Sequence, residues 1–350
     1  MTAIFDIINI PLGYIMRYLA ELLGGNFAAS VLLFTLLVDL VLIPLTIKSQ
    51  KSTVQQLRIK PKMDEIKRRY GDDRQKVAEA QQKLYQDEGV SMAGGCGPMI
   101  VRFVLLFSIY SLILSPLTYM SGASKTSVEN ITTTVSKGME TLQKNDKDRY
   151  EEIAKKISWQ NSQRNSANQL GIIKVVEDDT GIVEEILTDK QYKKIEKDLK
   201  DVRAKVKDSD IDYTLFDIDL TDKPDFNIDI IHSFELIWLL PIGAFVAQIL
   251  TGLVSARINK INNPDAPSMM GMMLFMPLIS LFIGFSFPGG VCFYWICSSL
   301  VGALIQVGVQ IFYGPQKLLA NERTKEIMKE CDFETKQLTK FDGKNTDELF

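Results

Sequence analysis

At 350 residues, with 40 Lys and Arg against 43 Asp and Glu, the chain has no basic excess to hold a nucleic acid. Its four cysteines (Cys96, Cys292, Cys297, Cys331) and single histidine (His232) have neither the spacing of a disulfide framework nor that of a metal site. A mean hydropathy of +0.04 looks soluble, yet it averages charged segments at 48–95, 118–228 and 313–350 with a strongly apolar remainder.

The start, MTAIFDIINI, lacks the basic region and small-residue cleavage site of a signal peptide. Residues 10–25 carry apolar positions at helical spacing, with Arg17 and Glu21 among them, and end at Gly24-Gly25. This reads as a helix lying in the membrane interface within 1–26, rather than as a sixth short span. Five apolar stretches follow, at 28–47, 98–117, 229–253, 269–287 and 291–312, each near the ~20 residues that cross a hydrocarbon core. With their flanks, the first two spans occupy 27–48 and 97–117.

Between them, 49–96 reads as a helical hairpin. Apolar residues recur at Val54, Leu57, Met63, Ile66 and Tyr70, then at Val77, Leu84 and Tyr85. Gly71-Asp72-Asp73 is the turn, Asp73 can cap the second arm, and Pro61 is expected to kink or restart the first. The segment 118–228 reads as an inserted module of mixed α+β character. It has charged helices at 140–158 and 188–207 and a β-hairpin at 170–187 around Asp-Asp-Thr-Gly. The link 254–268 and the turn 288–290 separate the last three spans, and 313–350 forms a tail.

Orientation follows from the short loops. Residues 48–95 hold 11 Lys and Arg against 7 Asp and Glu, and 254–268 holds Arg257 and Lys260 against Asp265. The positive-inside rule puts both in the cytoplasm. The N-terminus and 118–228 are then outside and the tail inside. The 18 Lys and Arg of 118–228 do not object, because long loops translocate largely regardless of charge.

Two charges lie inside apolar runs: Asp39 in the first and Arg102 in the second. A charge at membrane depth costs about 2.5–3.5 kcal/mol even on the lenient insertion scale, so such residues face a protein interior or a water-filled cavity. At 1.5 Å per residue, Asp39 lies about 12 Å, Arg102 about 6 Å, Gln248 about 8 Å and Gln306 about 9 Å from the cytoplasmic ends of their spans. Four polar groups on four helices share one layer, which a hydrated groove or a dry packed salt bridge would satisfy. Phe285, Phe287, Phe293, Tyr294 and Trp295 occupy the outer half. A polar lower and apolar upper half suits a hydrophilic segment drawn partway in from the cytoplasm, not a pore. Met269, Met270, Met272, Met273 and Met276 make the start of the fourth span an adaptable apolar surface.

The motifs resemble those of the YidC/Oxa/Alb membrane protein insertases, in their five-span bacterial form. Ile43-Pro44-Leu45-Thr46-Ile47-Lys48 is similar to the family's ending of the first span. Lys60-Pro61-Lys62 with Ile66-Lys67-Arg68-Arg69-Tyr70 resembles the start of its hairpin, and Lys83-Leu84-Tyr85 with Gly89-Val90 and Gly94-Gly95-Cys96-Gly97-Pro98 its end. Phe285-Ser286-Phe287-Pro288-Gly289-Gly290 with Tyr294-Trp295 resembles its final outer turn. The resemblance covers roughly 27–117 and 229–313.

The resemblance implies an all-α polytopic protein of the bacterial plasma membrane, with five transmembrane helices around a cytoplasm-open hydrophilic groove. It implies insertion of nascent membrane proteins into the lipid bilayer, alone or with the Sec translocon and ribosome as partners, without enzymatic chemistry, metal or cofactor. The tail's 7 Lys and Arg against 8 Asp and Glu argue against strong electrostatic docking to a ribosome. In the groove, Asp39 stands where the family usually has arginine, and Arg102 where it usually has glutamine. Arg102 is then expected to attract acidic substrate tails, with Asp39 positioning or masking it. Two other functions stay open: a transporter binding its ligand at the Asp39/Arg102 pair, and a structural chaperone subunit. The absence of an internal repeat argues against the transporter.

Overall fold

The computed structural model describes residues 2–90, 97–159, 168–177, 181–224, 235–262 and 270–347. Cys96, His232 and Met269 lie outside them. Among the described residues the chain is helical apart from one two-residue hairpin, and it forms two compact units.

The first unit comprises 1–40, 102–253 and 268–303. It opens with α1 (Thr2–Leu22), which turns through Gly24 and Gly25, both at positive φ, into α2 (Phe27–Val41). The next apolar run forms α5 (Gly97–Leu114), which ends where Pro116 begins the short α6 (Pro116–Tyr119). Phe27, Val31 and Phe34 of α2 pack with Ile109, Leu112 and Ile113 of α5 in one buried cluster. Trp238, Val291, Cys292 and Tyr294 belong to the same cluster.

The inserted segment builds its own core. It comprises α7 (Lys125–Asn145), α8 (Lys147–Lys156), α9 (Gln169–Glu177), α10 (Ile182–Ile186), α11 (Asp189–Ser209), β1 (Thr214–Leu215) and β2 (Ile218–Asp219). Residues 170–187 are therefore not a β-hairpin: they supply α9 and α10, with 178–180 outside the described residues. The cause is burial. Ile172, Ile173, Val175 and Val176 are all buried, and a continuous apolar run has no period that separates a strand from a buried helix. The mixed α+β expectation reduces to the antiparallel pair Thr214–Asp219 and Leu215–Ile218.

Ile131, Val135 and Met139 of α7 are fully enclosed against Ile172, Val175, Ile195 and Val202. Ile131→Ala should therefore destabilise the protein by about 2–5 kcal/mol, measured by denaturant unfolding of the whole chain in detergent. Under this core, the Lys174 ammonium lies 3.0 Å from Asp219 and also bonds Asp222, whose carboxylate accepts from Ser158. Burial alone would lower the Lys174 pKa, but the Asp222 hydrogen bond and the charges of Asp219 and Asp222 hold it above the ordinary lysine value.

Three sets of contacts bolt the insert to the apolar helices of the same unit. The Tyr119 hydroxyl donates to Asp6 at 2.8 Å, and Lys125 donates to its other oxygen at 3.0 Å. The Phe27 N–H donates to the Asp212 carbonyl at 3.0 Å, and the Asp212 N–H donates to the Gly25 carbonyl at 2.9 Å. The Gly289 and Gly290 N–H groups donate to the Asp222 and Leu220 carbonyls, both at 2.8 Å. These glycines open α14 (Gly289–Tyr313), so the insert fills donors that a helix start leaves without partners.

Burial pushes Asp6 upward, but the hydrogen bonds from Tyr119 and Lys125 outweigh it and leave its pKa below 3.8. Its contribution is complete above pH 3.8 and disappears as pH falls through the lowered folded value. The hydrogen-exchange protection factors of α1 should fall below pH 3.8 in the native chain and not in Asp6→Asn.

The second unit comprises 41–101, 254–267 and 304–350. It holds α3 (Ile43–Tyr70), α4 (Arg74–Asp87), the C-terminal ends of α12 (Leu239–Asn262) and α14, and α15 (Pro315–Asp347). The α3/α4 pair is the anticipated hairpin. Gly71 turns at positive φ, and Asp73 caps α4 by accepting from the Lys76 N–H at 3.2 Å. Pro61 does not end α3, which is helical on both sides of it. No residue of α4 is buried. Arg58 of α3 bonds Glu326 of α15 at 2.6 Å, and Val54 and Ile59 supply the buried apolar positions of α3.

Two helices are long and apolar enough to cross a membrane among the described residues, those beginning at Leu236 and Gly289. The first run is a bent pair, 46° between α2 and the start of α3. Pro44 explains the break: it lacks an N–H and disfavours helical backbone just before it. In the second and fourth runs, Val104–Leu114 and Phe275–Gly284 are apolar stretches of longer helices.

Candidate functional site

The expected polar layer falls on α2, α5, α12 and α14. Asp39 lies three positions before Leu42, where the first run bends, and is half-buried. Arg102 is the sixth residue of α5, about 7.5 Å along its axis at 1.5 Å per residue. Both belong to the first unit.

The two glutamines have different partners. Gln248 accepts at 2.7 Å from the hydroxyl of Ser280 on α13 (Met270–Gly284), within the first unit. Gln306 accepts at 2.8 Å from the hydroxyl of Ser255 on α12, within the second. Further along α12, Asn262 and Gln310 exchange both amide hydrogen bonds, at 3.2 and 2.8 Å. In the first unit, Thr251 Oγ1 lies 3.0 Å from the Ser299 carbonyl. Residues 248, 251, 255 and 262 recur at helical spacing, so one face of α12 is polar over four turns. Each group has a donor or acceptor on a neighbouring helix, which a low-dielectric surround demands.

Ser255, Ser280, Thr251, Asn262 and Gln310 were not singled out from the sequence. Serine and threonine on a helix are ambiguous there, since each can bond the carbonyl of its own preceding turn. Thr251 sits between both choices, 2.9 Å from the Ala247 carbonyl as well.

The methionine surface falls on α13. Met270, Met272 and Met273 occupy its first turn, and Met276 is 62% exposed. Phe275, Leu278, Ile279 and Phe282 are exposed beside it, an apolar surface in keeping with lipid or an apolar partner.

Around the Phe285–Gly290 turn the first unit is aromatic. Tyr110 and Phe287 meet edge-on at 5.1 Å, Phe287 and Trp295 at 6.2 Å, and Trp238 and Phe285 at 5.4 Å. Such edge-to-face pairs add about 0.5–1.5 kcal/mol each beyond the area they bury. They cluster around the Phe285–Gly290 turn, whose end the insert's carbonyls hold. Among the described residues no group of three or more His, Cys, Asp or Glu could hold a metal ion.

Long apolar helices, polar groups bonded between them and an aromatic cluster at one turn accord with a helical membrane protein. The family model described as "60Kd inner membrane protein" matches residues 18–176 and 192–315, most of the chain. The chain belongs to this family, the YidC/Oxa/Alb family that its motifs resemble.

Curated relatives named "Membrane protein insertase YidC" align with shorter stretches. One from Anaeromyxobacter dehalogenans is 38% identical over 100 residues, 29% of this chain and 18% of the relative. One from Sinorhizobium fredii is 33% identical over 109 residues, 31% of this chain and 18% of its own. One from Nitratidesulfovibrio vulgaris is 34% identical over 111 residues, 32% of this chain and 20% of its own. The chain thus spans only about a fifth of the length of these curated relatives.

Proposed function

We propose that this protein inserts nascent membrane proteins into the lipid bilayer from the cytoplasmic side, alone or beside the Sec translocon. Five spans surround a cytoplasm-open hydrophilic groove, with the N-terminus and the insert outside and the tail inside. Arg102 attracts the acidic flank of a substrate, and Asp39 positions or masks that charge. The substrate's apolar segment meets the methionines of α13 and then enters lipid. That transfer is favourable by about 25 cal/mol per Å² of apolar surface, which offsets moving a short polar tail. No nucleotide, metal or cofactor enters this scheme.

The observation that carries the reading is family membership together with two opposite charges in consecutive apolar runs. The inserted segment has a place in it. Hydrogen bonds from Gly289, Gly290 and Phe27 hold it against the outer ends of two apolar helices, which supports a role as a fixed outer cap. A cap there leaves the cytoplasmic side as the entry.

Depletion of the protein in its own cells, with the fate of a small two-span membrane protein followed by protease protection, tests the reading. The substrate should lose protection on depletion and regain it on re-expression. Full protection after depletion would remove the insertase reading and leave the structural one. That second reading has its own support, because the Gln248–Ser280 and Gln306–Ser255 bonds tie helices together.

A further inference from the structure

We propose that the cleft beneath the insert, where the chain turns into α12, binds the headgroup of an amine-bearing zwitterionic phospholipid. The acyl chains of that lipid lie along α12. The inference needs α12 to cross the membrane; it does not need the chain to be an insertase.

The cleft lies wholly within the first unit and has a volume of about 560 Å³, within the usual range of small-molecule sites. Its lining is charged in both signs. Lys155, Lys156, Lys174 and Lys223 line it together with Glu151, Asp217, Asp219, Asp222 and Glu235. Lys174, fixed by Asp219 and Asp222, is one of the lining residues. Lys155 and Glu235, both exposed, stand 3.9 Å apart, too far for a direct hydrogen bond. They present a cation and an anion side by side.

A simple anion would meet the carboxylates as well as the lysines, and a simple cation the reverse. A phosphate joined to a primary ammonium satisfies both sets. The ammonium can also lie against the rings of Tyr150 and Trp159, which line the same cleft.

The second observation is what adjoins the cleft. Leu236 lines it and is 48% exposed. From there an exposed apolar stripe continues through Leu239, Ile242, Val246, Leu250 and Leu253, at steps of three and four residues. One helix face thus runs from the charged cleft down the full apolar length of α12 within this unit. A soluble ligand would have no use for that stripe. A ligand with a charged head and long chains matches both parts.

Native mass spectrometry of the full-length protein in a neutral detergent tests this. Phosphatidylethanolamine, phosphatidylcholine and phosphatidylglycerol with identical chains are added in turn, together with chain-free glycerophosphoethanolamine. One phosphatidylethanolamine should be retained at least about fivefold more strongly than phosphatidylglycerol. Phosphatidylcholine, whose ammonium has no N–H to donate, should fall between them, and the chain-free headgroup should not be retained.

Lys223→Glu and Glu235→Lys should each reduce retention at least about fivefold with an unchanged melting temperature. Where one of them melts early, Lys155→Glu carries the same expectation. Equal retention of phosphatidylglycerol, or full retention in all three variants, would overturn the proposal. Retention of the chain-free headgroup would show a soluble-ligand site instead.

Discussion

Arg102→Ala should lower insertion of a substrate with an acidic flank at least about tenfold, while Asp39→Ala should leave it unchanged or raise it. Two unit charges about 6 Å apart attract by about 3 kcal/mol at an effective dielectric near 20. Removing the cation forfeits that attraction. In the proposed groove, removing the anion leaves a guanidinium that water can solvate and that a substrate carboxylate no longer has to win from Asp39.

The pair Asp39→Arg with Arg102→Gln returns the charge to the helix that carries it in the resembling family, and it should retain insertion. Complementation of a depleted strain measures all three variants, with membrane abundance of each checked by immunoblot. Full activity of Arg102→Ala at normal abundance would show that Arg102 is not the functional charge. An inactive double variant that is stably made would show that the two positions are not equivalent. Substrates with neutral flanks should be nearly indifferent to every variant, which separates an electrostatic role from a structural one.

What was legible in the sequence depended on how local the determinant is. The α3/α4 hairpin followed from Gly71-Asp72-Asp73, because a positive-φ glycine and a capping aspartate act within three residues. The long apolar helices of the third and fifth runs followed from composition alone. The bend in the first run had a local cause in Pro44, but a window average of hydropathy cannot register one missing N–H.

The candidate polar layer was proposed from positions, and its partnerships were not legible. Gln248 and Gln306 were picked out by type and depth. Their partners Ser280 and Ser255 are 32 and 51 residues away in sequence, and serine in a helix has an equally good bond to its own backbone. The misread of 170–187 has the same origin. Isoleucine and valine favour strands in isolation, but enclosure by α7 and α11 decides the outcome at these positions. The docking of the insert on Gly289 and Gly290 is a meeting of backbone groups, on which side-chain patterns are silent.

That docking makes Gly25 the position where one methyl group should do the most damage. Gly25 turns the chain between α1 and α2 at φ +83°, a conformation that side chains other than glycine rarely adopt. Its N–H donates to the Ala20 carbonyl at 2.8 Å, closing α1, and its carbonyl accepts from Asp212 at 2.9 Å. A Cβ there would collide with the carbonyl oxygen of Asp210, and backbone cannot yield as a flexible side chain does. Strained backbone costs about 1–3 kcal/mol by itself, and the collision adds the loss of the bonds through Asp212.

Gly25→Ala should therefore loosen the insert from α1 and α2 while its own core, centred on Ile131 and Ile172, stays folded. Limited proteolysis should show new cleavage near 210–214 at intact α7 to α11. Gly24→Ala is the control. Gly24 also has positive φ, +64°, but a Cβ there meets nothing within 4 Å, so only the backbone strain is incurred. Equal resistance of both variants would show that the insert is held by its other contacts, at Asp6 and at the start of α14. Loss of insertion in Gly25→Ala with Gly24→Ala nearly normal would tie the outer cap to the activity of the groove.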